Sequence, residues 1–343
     1  MGMDSLLGIP RELRDNIIEL ILLSTHIPPD YPGTALRHRV PLIDIDYRSW
    51  EYGPCNNLYE KQDFVPASLP LLLVNRQLCM ETKAALQRLP EGHSYLLDVM
   101  LVDEAELWPT WLSVPVLVDR VDSVLAKFRI FGNLQDDYHS VIDPGDASPP
   151  QLVWCFYSLL ERFLRRGPVG QRRMRSTDRN ITIKTLTLDF LSPSDSTMVL
   201  QSTNEYRQWL KSRSKLRGLW KQPDGNTSVI QTEMDPEWLV DFVLEYLCSL
   251  LRMGYHTALY GKILYERVGV IRVCVDGKLE GEYNLAERLA KLRFDRHEDT
   301  FGYACPFERL DYFWEWKKQA LIKRREAGLP VVDAQDPELK DIA

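Results

Sequence analysis

Ser123-Val124-Leu125-Ala126-Lys127-Phe128-Arg129-Ile130-Phe131 puts Val124, Ala126, Phe128 and Ile130 on one side of an extended chain. That period of two is the pattern of a strand with one buried face. Downstream, Gln151 to Arg165 carries Leu152, Phe156, Leu159, Leu160 and Phe163 at helical spacing. Ile181 to Phe190 then alternates again through Ile181, Ile183, Leu186 and Leu188, with a one-residue slip at Lys184-Thr185. Strand, helix and strand in that order predict a parallel pair joined by a crossover helix. The same texture extends both ways. Tyr95 to Val102 is a short apolar run, as in a buried strand. Asp235-Pro236-Glu237 is a helix start, with an N-cap, a proline at the first position and an acid in the first turn. Trp238, Phe242, Val243, Tyr246, Leu247, Leu250 and Leu251 follow at helical spacing. Val270 to Val275 reads as a buried strand closed by an Asp276-Gly277 turn. Pro306 opens a last helix, with Leu310, Phe313, Trp314 and Leu321 inward, that stops at Gly328 and Pro330. Residues 91–330 are thus expected to form one α/β region, and 331–343 a frayed acidic tail.

The first ninety residues differ. Pro10 suits a first helical turn and Glu12 the positive end of the helix dipole. Leu13, Ile17, Leu20 and Ile21 then recur on one helical face, and Ile18 and Leu22 widen the stripe. A helix this apolar needs cover on more than one side. Residues 25–67 hold six prolines and read as a long loop, with at most a short strand near Leu42-Ile43-Asp44-Ile45. A second helix follows, with Leu71, Val74, Leu78, Thr82 and Ala85 on one face. The fold class is therefore α+β: N-terminal helices, then a mixed, partly parallel sheet with crossover helices.

The 343 residues are 45% hydrophobic and 27% charged, as expected of a folded chain that buries a sizeable core. The net charge of −7 argues against nucleic acid or an anionic membrane as the partner of the whole molecule. Six cysteines stand far apart, without metal-knuckle spacing, and no secretory signal opens the chain. Reduced thiols in cytoplasm or nucleus are the expectation. Met1-Gly2 has Leu6 where a myristoylation site has Ser or Thr. The apolar run Ile17 to Leu23 is interrupted by Glu19 and falls short of a membrane span.

No residues stand out as catalytic, metal-binding or cofactor-binding. The six histidines do not pair at metal spacing, and no nucleophile elbow, phosphate loop or dinucleotide fingerprint occurs. Asp103-Glu104-Glu106 and Asp136-Asp137 read as solvated turn carboxylates. Arg165, Arg166, Arg172, Arg173, Arg175 and Arg179 form a basic segment opposed only by Asp178. It reads as a solvated loop, or as a nuclear-import or phosphate-recognising patch. Trp108 and Trp111 flank Pro109 between two expected strands and read as packed rather than as a recognition surface.

The N-terminal segments resemble an F-box, in the divergent form common in large fungal families of F-box-like proteins. The residues that carry the resemblance are Ile9-Pro10-Arg11-Glu12-Leu13 through Ile17-Ile18, and Leu71-Leu72-Leu73-Val74-Asn75-Arg76-Gln77-Leu78. Glu106 to Leu112 and Phe128 to Gly132 also look like members of that group. The insertion at 25–67 departs from the compact family pattern. The resemblance implies a non-enzymatic substrate receptor of a cullin–RING ubiquitin ligase. It would dock on a Skp-type adaptor through Ile9, Pro10, Leu13, Ile17, Leu71 and Val74, while 91–330 recruits an unidentified protein substrate. Two other readings stay open: a structural α/β protein that binds no adaptor, and an enzyme whose site leaves no local motif.

Overall fold

The computed structural model describes residues 6–332 apart from 43–44, 46–54, 63, 90–92, 133–150, 169–177, 193–234, 256, 296–299, 303–304 and 306–307. A six-stranded mixed sheet organises the molecule. Its strands are β3 (Ser94–Val102), β4 (Glu106–Ser113), β5 (Arg120–Phe131), β6 (Thr182–Leu191), β7 (Val268–Val275) and β8 (Lys278–Asn284), in the spatial order β4-β3-β5-β6-β7-β8. The four central strands are parallel, and the two edge strands pair antiparallel. Val124, Ala126 and Phe128 share one core with α5 (Gln151–Arg166), α6 (Pro236–Leu251), α7 (Ala258–Arg267) and α9 (Arg309–Ala327). The alternation that predicts these strands therefore marks the face the helices cover. Asp235 caps α6 as its sequence indicates, accepting the Glu237 N–H at 2.9 Å.

The edge strands are where periodicity fails. Glu106 to Ser113 is strand β4, although it contains Pro109, whose missing N–H is tolerated only at an edge. Lys278 to Asn284 is mostly exposed and charged, so β8 shows no alternation to read. Both hairpins turn on consecutive left-handed residues: Asp103 and Glu104 at φ 50° and 55°, then Asp276 and Gly277 at 48° and 78°. Such turns match the twist of the strands they join. The expected slip at Lys184 coincides with a close approach, since a Cβ at Gly269 would collide with the Lys184 carbonyl.

Three helices need correction against the sequence reading. Ala258–Arg267 and α8 (Leu285–Lys291) fall in stretches with no predicted helix. The last helix starts at Arg309, and Gly328 ends it in the left-handed region at φ 73°. Leu310 lies on its exposed side and Trp314 is only half-buried, while Phe313 and Leu321 are inward as expected. Pro306 lies outside the described residues. Arg324, fully buried on α9, donates to the carbonyls of Val268 and Pro330 at 2.8 and 2.9 Å and also to that of Tyr265. It ties the α7–β7 junction to the end of the helix, and burial lowers its pKa to about 10.

The insertion at 25–67 is structured in part. Helix α2 (Pro32–Ala35), strand β1 (Arg39–Pro41) and strand β2 (Leu58–Glu60) form a small unit on the sheet's second face. A strand lies at Arg39–Pro41, just ahead of the expected 42–45, of which 43–44 lie outside the described residues. Arg39 is buried there under Trp108 and donates to the carbonyls of Leu58 and Pro109 at 2.9 and 2.8 Å. Ala35, Met100, Val102 and Trp108 make the local core. Arg129 adds a bidentate pair to buried Asp98, both contacts 2.7 Å, and donates to the Pro29 carbonyl.

Candidate functional site: the N-terminal helices

Three helices make the N-terminal unit: α1 (Arg11–Leu22), α3 (Ser68–Val74) and α4 (Arg76–Arg88). The single second helix expected from periodicity is divided at Asn75, which is extended at φ −161°. Its side chain accepts the Leu78 N–H at 2.9 Å and caps α4. The break changes the face that Val74 occupies. Leu71, Leu78, Thr82 and Ala85 remain inward, and Val74 turns outward.

The unit has its own core of Ile18, Leu22, Leu71, Leu78 and Ala85, distinct from the core of the sheet. Beside it, buried Arg14 meets buried Glu81 through two contacts of 3.0 and 2.7 Å. Arg14 also donates to the carbonyls of Leu7 and Ile9, so the same side chain fixes the turn that enters α1. Gln77 donates to Glu81 at 3.0 Å. The hydrogen bond from Arg14 is the main reason the Glu81 carboxyl is held down at about 2; burial opposes it and Gln77 assists. Arg88 adds more exposed contacts to Asp15 and Glu19, which secure α4 to α1 with little energy.

Among the described residues, only one side of α1 is covered. Arg14, Ile18 and Leu22 point into the unit. The stripe one residue earlier, Leu13, Ile17, Leu20 and Ile21, points away from it: Leu13 is 53% exposed and Leu20 73%, with Ile17 half-buried. On α3, Leu73 is 74% exposed and Val74 63%, and Met80 on α4 is also exposed. Ile9 is half-buried and Pro10 exposed at the entry to α1. Of the six residues that the resemblance implies as adaptor-facing, Leu71 is the one turned into the core. Leu20 and Leu73, which it did not include, are the two most exposed of the outward leucines on these helices. Leu20 was legible as a member of the predicted stripe. Leu73 stands two residues from buried Leu71 on the same helix, and so on its opposite side.

Elsewhere the candidate residues fall into packing or ion pairs. Trp108 is buried and donates to Glu106 at 2.8 Å, and half-buried Trp111 lies against Phe163. Arg165 pairs with Glu161 and Asp178, Arg267 with Asp178, and Arg179 with Asp119. The basic segment is therefore opposed by more than Asp178; Arg172, Arg173 and Arg175 lie outside the described residues, as do Asp136 and Asp137. Among the described residues, no group of three His, Cys, Asp or Glu side chains is placed to hold a metal, and no helix is long and apolar enough to cross a membrane. Compared with protein-family models, curated proteins and solved structures, the chain gives no match.

Proposed function

We propose that the N-terminal helices dock on a Skp-type adaptor of a cullin–RING ubiquitin ligase, and that the α/β region holds a protein substrate. The observation that carries this reading is the bare stripe of α1. A helix apolar on two sides is covered by its own chain on one, and α3 also leaves leucines exposed. Helix faces of this kind fit an apolar groove on a partner. The resemblance of Ile9 to Leu13 and of Leu71 to Leu78 to an F-box supplies the class of partner. On this reading the chain works in the cytoplasm or nucleus, where that machinery is found, and its role is recruitment rather than catalysis.

The test is a variant with Leu13→Ser, Leu20→Ser and Leu73→Ser together, assayed against purified adaptor. A few anchors carry most of an interface's energy, so loss of about 2 kcal/mol or more, roughly thirtyfold in Kd, is expected. The melting temperature should hardly move, since exposed substitutions change stability by about 0.5 kcal/mol or less. A folded variant that binds adaptor as the parent does, or a parent that does not bind, removes the proposal.

A further inference from the structure

Between the sheet and helices α5 and α6 lies a cavity of about 110 Å3. Packed interiors leave few voids larger than a water molecule. Its floor is Val124, Ala126 and Phe128 of β5, and its walls include Phe156 of α5 and Val243 and Leu247 of α6. Among the described residues, no charged side chain lines it. Backbone groups in its walls belong to helices and strands and are satisfied there. Water entering such a space would find few polar partners, so an apolar occupant is favoured there.

The walls are also rich in rings. Phe128 and Phe156 have centroids 5.2 Å apart, Trp111 and Phe163 5.2 Å, and Phe242 and Tyr246 4.8 Å. All six line the cavity. Tyr246 is half-buried, and its hydroxyl makes no hydrogen bond among the described residues. Burial pushes its pKa up to about 12, so it stays neutral. Lining residues Leu160, Leu188 and Leu250 keep part of their surface accessible, which gives the cavity a side open to entry.

We infer that this cavity is a binding site for a small uncharged hydrophobic molecule of about one ring in size. Aromatic walls favour a flat ligand in edge-to-face contact, and the absence of any charged group among the described lining residues disfavours an anion or cation. The inference is independent of adaptor docking, because the site lies in the α/β core and not on the N-terminal helices.

Fluorobenzene added to the full chain, followed by fluorine NMR, is the test. Saturable one-site binding is expected, with displacement by toluene and none by benzoate, whose charge the cavity cannot solvate. Val243→Phe fills the space from α6 and should weaken binding about tenfold or more, the loss of roughly one decade in Kd that a blocked site predicts. Ala126→Leu fills it from β5 and replaces that variant should it not fold. Contacts between the probe's protons and the methyl groups of Val243, Leu247 and Leu264 locate the molecule in the unaltered protein. The inference is overturned if fluorobenzene does not bind saturably, if a folded filled variant binds it equally well, if benzoate competes as toluene does, or if the probe's contacts lie elsewhere.

Discussion

The N-terminal unit and the α/β region solve the burial problem differently. β5 has most of its apolar alternation buried: Val124, Ala126 and Phe128 are nearly inaccessible beneath helices, and Ile130 at its end is half-buried. Helix α1 has more apolar residues than its neighbours can cover, so Ile18 and Leu22 are inside while Leu13 and Leu20 are outside. The reason is size. A few short helices enclose little volume, and a small unit buries a smaller fraction of its surface than a large one. The unit compensates with the Arg14–Glu81 pair, which fixes geometry where packing is thin. The difference teaches that an uncovered apolar face means more on the small unit, where it follows two turns of one helix, than scattered exposed leucines on the large one.

The largest test of this contrast uses one truncation in each core. Phe128 stacks on Phe190 at 4.7 Å, with both rings buried. Phe128→Ala should cost about 3–5 kcal/mol and lower the main melting transition. Leu22→Ala should cost about 2–5 kcal/mol, but its effect on hydrogen exchange should be confined to 11–22 and 68–88. Equal loss of protection in β5 and β6 from Leu22→Ala would merge the two units into one cooperative core.

How far the sequence reveals the molecule follows the same division. The central strands and α5 and α6 were legible because their apolar residues recur at strand or helix spacing or run unbroken, even where, as in β3, α5 and α6, more than one face is buried. The edges were not. β4 contains Pro109 and β8 is charged, and both are strands because a neighbouring strand offers hydrogen bonds, which a single-segment pattern does not reveal. The proline-rich insertion looked like a loop because its order comes from distant contacts, such as Arg39 beneath Trp108. At the candidate docking surface, the stripe from Leu13 to Ile21 was readable as apolar, but sequence does not distinguish a core stripe from a bare one. Leu71 and Val74, read on one face there, part company: Leu71 is buried and Val74 is exposed just before the break at Asn75.

Acid should sharpen the contrast next. The unfolded chain holds the Glu81 proton up to the ordinary carboxylate value of 4.5, whereas the folded unit releases it down to about 2. Between those values the unfolded state binds more protons, so this contribution is complete above 4.5 and is lost as pH falls toward 2. Methyl NMR signals of Leu78 and Ala85 should therefore report opening of the N-terminal unit over that window, ahead of signals from Val124 and Ala126. Glu81→Gln removes the titrating group and should flatten the dependence. The same acid profile in that variant would assign the loss to other carboxylates.

The smallest expected effect comes from the Asn75 cap. Its side-chain oxygen takes one N–H of α4 that otherwise has no partner in the helix, and it does so at the break that follows outward Leu73 and Val74. Asn75→Ala should cost about 1 kcal/mol, as loss of an N-cap does, and raise local opening of α4 about fivefold. Asn75→Asp keeps an acceptor at the same place and should restore most of the protection. Exchange at the amides of Leu78 to Thr82 is the measurement, with those of Val124 to Phe128 as the internal reference. A fivefold rise at both sites would mean that the cap supports the whole molecule. A rise at α4 alone would show that a weak local interaction sets the shape of the smaller unit, and with it the direction of the leucines it leaves uncovered.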